Sequence, residues 1–148
     1  MWNDRHADRG FFRALINLYW DGNLLFYTAS WFLIRFSRKL DLIIPFFNNW
    51  LTDFVFVPLI AHFCLIAGNI LIGKRYTFKF PLYQLLLLAM LTAFIFEYWA
   101  PQYTTYNTYD PFDILAYLAG ACYFYAFHQP LILIKLYYAK AENKRIFP

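Results

Sequence analysis

Four carboxylates stand where apolar runs of this chain begin or end: Asp53, Glu97, Asp110 and Asp113. A carboxylate at the edge of a greasy segment is costly without water, a proton or a cation, so each is a candidate site residue. Gathered in one cleft, such a set can hold a divalent cation through hard oxygen ligands, orient a cationic headgroup, or share a proton by raising one pKa. The metal stays unassigned, because no His or Cys lies beside these acids and their spacing matches no known cation loop. Asp113, Tyr117 and Gly120 follow Asp110 at i+3, i+7 and i+10, so the four share one helical stripe. Gly120, with Ala116 and Ala119 nearby, permits close approach of another helix, which turns the stripe toward protein and away from lipid. Capping explains the same acids equally well. Asp110 precedes Pro111 and Asp113 falls in the first turn, where acids answer open backbone amides and proline suits the first position.

The remaining polar residues inside apolar runs have structural readings beside the chemical one. His62 lies mid-run, where an imidazole can relay protons or simply bond across helices. Asn69 and Gln84 read as glue between helices, and His128, followed by Gln129 and Pro130, as a helix-end residue at a proline kink. Cys64 and Cys122 sit in apolar runs as small hydrophobes, with no disulfide framework implied. No nucleophile-base-acid set, phosphate loop or zinc motif is present, so an enzyme is not expected and no cofactor is assigned.

The elements that must position these residues are membrane helices. Hydrophobic residues make up 61% of the 148, aromatics 24% and charged residues 15%, and a soluble chain of about 150 residues buries only about 70% of its unfolded surface. Lipid must cover the rest. The stretch from Phe80 to Ile134 holds no Lys or Arg, whereas Lys74, Arg75 and Lys79 precede it and Lys135, Lys140, Lys144 and Arg145 follow. Basic residues stay cytoplasmic, so this is a helical hairpin with a translocated acidic loop. Spans are expected at 54–72, 80–99 and 112–133, with 135–148 a cytoplasmic tail. The net charge of +4 sits at span ends, where headgroups account for it, and nucleic acid is not an expected partner. Trp50, Tyr98, Trp99, Tyr103, Tyr106 and Tyr109 mark an outer aromatic belt, and Tyr76, Tyr83, Tyr137 and Tyr138 an inner one.

The amino-terminal part is ambiguous. Residues 23–36 are apolar, yet the run between Asp21 and Arg38 falls short of the about 20 residues a span requires. A span here would place Arg35, Arg38 and Lys39 outside, against the charge rule, while Arg5, Arg9 and Arg13 at four-residue spacing suggest an amphipathic helix in the interface. We expect an interfacial helix within 1–22 followed by a short span. The charge pattern of the first residues does not suggest a cleavable signal peptide. The fold class is thus all-α: one polytopic transmembrane bundle of three to four spans with an amphipathic N-terminal helix.

The order Glu97, Pro101, Asp110, Asp113, Gly120, within EYWAPQYTTYNTYDPFDILAYLAG, resembles the last loop and helix of the VanZ-like membrane proteins. The stretch IIPFFNNWLTDFVFVPLIAH similarly resembles that family's segment leading into its second helix, with Asp53 in place of its acid. Tyr117 stands where the family has Asn, Ala100 where it has Gln, and Phe54 and Val57 where it has Lys and His. The resemblance implies a small four-helix inner-membrane protein with both termini cytoplasmic, some members being linked to lipoglycopeptide resistance and some short relatives catalogued as magnesium-citrate transporters. The function expected from it is binding of an envelope component, a lipid-linked cell-wall intermediate or a glycopeptide, at an outer rim of Asp53, Glu97, Pro101, Asp110, Asp113, Tyr117 and Gly120, with His62 as a proton relay. A small oligomeric transporter of a metal-citrate solute and a structural subunit of a larger membrane complex are the alternatives.

Overall fold

The computed structural model describes residues 21–42, 47–72, 77–103 and 111–146, with side chains for 21–42, 50–72, 77–103 and 112–138. Every regular element among them is helical: α1 (Gly22–Lys39), α2 (Phe47–Ile72), α3 (Leu82–Ala93), α4 (Pro111–Tyr123) and α5 (Gln129–Ile146). A π-helical turn, Phe94–Trp99, and a 3-10 turn, Ala100–Gln102, prolong α3, and another π turn, Phe124–His128, joins α4 to α5. Four rods result. The expected amphipathic helix near the amino terminus falls on residues outside the described ones.

Each rod follows from its residues. α1 buries Leu24, Tyr27, Ser30, Ile34 and Ser37 along one stripe, while Phe32, Leu33 and Phe36 on the other side are exposed. Asp21 starts it as an N-cap, its Oδ1 accepting from the Leu24 amide at 2.8 Å, which answers one of the open donors of the first turn. Asp41, at φ 53°, ends it. The Leu42 amide returns to the Ser37 carbonyl at 3.0 Å and the Asp41 amide to that of Arg38 at 3.4 Å, a Schellman closure with Asp in the place glycine usually takes. The helix covers more than 23–36, and its last turn carries Arg38 and Lys39.

Trp50–Ile72 and Leu82–Gln102 are long and apolar enough to cross a membrane. The first begins four residues before the expected 54–72, and the second is shifted from the expected 80–99, starting two residues later and ending three later. The expected span 112–133 is not a single α-helix but α4, a π turn and the start of α5. The α4–α5 rod likewise runs past Leu133 to Ile146, so part of the expected tail is helix. α4 packs against α2 and α3, and α1 packs on α2. The core between them is Val57, Ala61, Leu65, Leu85, Ala89, Phe124 and Ile132. Large apolar side chains also face outward on every rod, among them Leu33, Leu71, Leu87, Leu115 and Phe127.

Gly120 sets the closest approach. The space a Cβ would occupy there is filled by the Phe54 carbonyl oxygen, with Pro58 Cδ 3.0 Å away. Pro58 lacks an N–H for that carbonyl, and the same oxygen meets the bare Gly120 backbone, a geometry suited to a Cα–H···O contact between helices. The expected role of Gly120 holds, whereas Ala119 is exposed and Ala121 is the buried small residue of this stripe.

The extended segment 77–80 is fastened by two amides. Asn69 accepts from the Phe78 N–H at 3.0 Å and donates to its C=O at 3.1 Å. Gln129 does the same for Phe80 at 2.8 and 2.9 Å. Each amide thus imitates a neighbouring strand, satisfying a backbone pair that water would otherwise have to serve. Asn69 was expected to join helices, and it joins α2 to the extended segment that leads into α3. Gln84 does not: it is exposed and bonds Tyr83 next to it at 3.3 Å, because its position faces outward and Gln129 takes the inward one.

Candidate functional site

Two polar sites are built where rods meet. The first lies at the end of the bundle where α1 finishes and α2 starts. Tyr117, buried in the second turn of α4, donates its hydroxyl to Asp53 Oδ1 at 2.8 Å. The charges of Glu97 and Asp113 also act on this hydroxyl, and of the expected stripe Tyr117 and Gly120 are buried and Asp113 half-buried. Glu97 is buried within the first π turn, and Asp113 lies in the first turn of α4. Pro101 is half-buried in the 3-10 turn that follows. Asp110 lies outside the described residues, as do Tyr106 and Tyr109.

Above the Asp53–Tyr117 pair opens a cleft of ≈ 470 Å³, lined also by Trp31, Arg35, Arg38, Lys39 and Thr52. The expected rim was acidic. In the structure α1 lays three cations over it, because the helix runs antiparallel to α2 and its C-terminal turn meets the N-terminal turns of its neighbour. The separation of cations from anions along the sequence therefore fails at α1, while Lys79 and Lys135 lie toward the opposite end. Arg35 packs over the Trp31 ring at 5.4 Å, which fixes its stem along the cleft wall. Cations against one carboxylate favour an anionic guest held at its oxygens.

Replacing Tyr117 with Phe keeps the packing and removes one hydrogen bond to a carboxylate. The expected loss is about 1 kcal/mol of stability, read from unfolding in mixed micelles. An unchanged midpoint would show that the hydroxyl contributes nothing to holding α4 on α2.

The second site is in the bundle interior, and sequence reasoning missed most of it. Asp21, His62 and His128 are all buried, with one ligand atom from each lying within 4.8 Å of the others. His128 Nε2 meets Asp21 Oδ2 at 2.8 Å, and Tyr27 Oη meets His128 Nδ1 at 2.9 Å. An ionised carboxylate only accepts, so Nε2 carries the proton and Tyr27 donates to Nδ1. His62 stacks on the His128 ring, centroids 5.0 Å apart and planes 16° from parallel. His128 is thus a buried residue inside a continuing rod and not the helix end expected beside Pro130. The π turn that ends on it changes the phase of the rod, placing His128 and Gln129 on the buried stripe that continues to Ile132 and Leu136.

Pro130 follows without breaking the rod, since the π turn already interrupts the bond ladder that a proline would disrupt. The available sequence signal was the acid Asp21 between two apolar stretches. Nothing local ties it to a histidine 107 positions away. Comparison with protein-family models, curated proteins and solved structures finds no match to this chain.

Proposed function

We propose that this chain is a VanZ-like inner-membrane protein of four spans whose outer cleft binds the phosphate-bearing headgroup of a lipid-linked cell-wall intermediate. One observation carries the reading: Arg35, Arg38 and Lys39 share a cleft with Asp53 and Tyr117, beside rods whose outward faces are apolar. The cations would hold phosphate oxygens, Asp53 and Trp31 would meet sugar hydroxyls and ring faces, and the prenyl tail would lie along the exposed apolar flank. A phosphate guest accounts for the three cations better than a glycopeptide drug does. The order Glu97, Pro101, Asp113, Gly120 supports the family resemblance, with the carboxyl-terminal end of α5 cytoplasmic.

Purified full-length protein in nanodiscs, titrated with a polyprenyl pyrophosphate and followed by Trp fluorescence, tests the proposal. Arg35→Ala and Arg38→Ala are each expected to weaken binding about tenfold, the effect of one charge-assisted contact, with the affinity falling as salt rises. Equal binding of the uncharged polyprenol, or wild-type affinity in the variant lacking all three cations, would remove the proposal.

The interior polar cluster favours a second reading, a small oligomeric transporter, since Asp21, His62 and His128 place buried polar groups together within the bundle. Metal-citrate uptake by proteoliposomes separates the two.

A further inference from the structure

We propose that Asp21, His62 and His128 form a binding site for a divalent first-row transition ion of the zinc class, with one coordination position left open. The site is separate from the outer cleft, and neither depends on the other.

The donor set selects the ion. Two imidazole nitrogens and one carboxylate oxygen suit Zn²⁺ and its neighbours, whereas Mg²⁺ and Ca²⁺ take oxygen ligands almost exclusively. The three donor atoms lie within 4.8 Å of one another. Tetrahedral ligands at about 2.0–2.1 Å from zinc stand about 3.3 Å apart. The lone pairs of imidazole lie in the ring plane and the His62 and His128 rings are stacked 16° from parallel, so closing the set takes a turn of the His62 ring out of the stack together with an approach of about 1.5 Å. Asp21 Oδ2 and His128 Nε2 are already at 2.8 Å, and the ion would replace the proton between them.

The surroundings are those of a ligand site. Tyr27, fully buried, holds His128 Nδ1 at 2.9 Å. With Nε2 on the ion, the proton moves to Nδ1 and the Tyr27 oxygen accepts it, so the hydroxyl reverses its role without moving. Such a partner on the far nitrogen orients a metal-bound imidazole. Independently, His128 closes one of the two π turns among the described residues, and π turns recur at functional sites because they re-aim single side chains. His62 also lies midway along Trp50–Ile72, a helix able to cross a membrane. Ionisable groups at that depth are expensive and mark function.

Full-length protein in mild detergent, stripped with a chelator, is titrated with Zn²⁺, Co²⁺ and Mg²⁺. The expected result is one Zn²⁺ per chain, the strong visible absorption of four-coordinate Co²⁺, and no competition from Mg²⁺. His62→Gln keeps the Asp21 cap and the Tyr27–His128–Asp21 chain, so it should fold and lose more than the about 100-fold in affinity that removal of an outer partner costs at most. Tyr27→Phe should lose about 10-fold, and His6→Gln nothing. Wild-type Zn²⁺ affinity in His62→Gln and Asp21→Asn, a Co²⁺ spectrum like that of the aqua ion, or loss of binding in His6→Gln would each overturn the site. The Co²⁺ spectrum of the wild type decides the matter even if a variant fails to fold.

Discussion

Gly120→Ala is expected to destabilise the bundle by about 3 kcal/mol, and Gly120→Leu to prevent α4 from docking on α2 at all. An added methyl would meet the Phe54 carbonyl oxygen and Pro58 Cδ. Backbone cannot swing aside as a side chain can, so the two rods must part along their length. Parting them also separates Tyr117 from Asp53 and opens the core around Val57, Ala61 and Phe124. The loss is read from denaturant titration in mixed micelles, with the exposed Ala119→Leu variant as the control. Equal stability of the Gly120 and Ala119 variants would mean that the close approach of α2 and α4 does not hold the fold together.

Asp21→Ala is expected to cost about 3 kcal/mol, because one carboxylate serves two tasks. Its Oδ1 caps α1 through the Leu24 amide and its Oδ2 accepts from His128. Loss of an N-cap costs about 1 kcal/mol, and loss of a hydrogen bond to a charged group about 1.5–3 kcal/mol. Asp21→Asn separates the two contributions. Its carbonyl can still cap, and its amide can donate to Nε2 once the imidazole shifts its proton toward Tyr27. Less than half of the Ala effect is therefore expected for Asn. A loss of equal size from both variants would show that the negative charge itself, and not the hydrogen bonds, ties α1 to the α4–α5 rod.

These two residues show how unevenly the chain discloses its structure. Gly120 was legible because its role is local in pattern: a small residue on the stripe of Asp113 and Tyr117, set by the 3.6-residue period of a helix. Asp113 in a first turn and Tyr117 facing inward followed from the same period. Two of the rods were legible too, since the apolar runs expected at 54–72 and 80–99 fall in helices long enough to cross a bilayer, whereas the run expected at 112–133 is divided by the π turn at Phe124–His128 between α4 and α5. Residue order alone thus specified helices, two stretches long and apolar enough to span, and the inward face of α4.

Tertiary structure decided the rest, because the rotation and vertical offset between two rods are not written in either one. The offset of α1 against α2 put Asp21 beside His62 and laid Arg35, Arg38 and Lys39 over Asp53, turning an expected acidic rim into a cleft of mixed charge. The π turn at Phe124–His128 shifted the phase of its rod, and so made His128 an interior residue and gave Gln129 the clamping role that Gln84 was expected to share. A π turn depends on which bonds the packed neighbours favour, and residue order alone carries no mark of it.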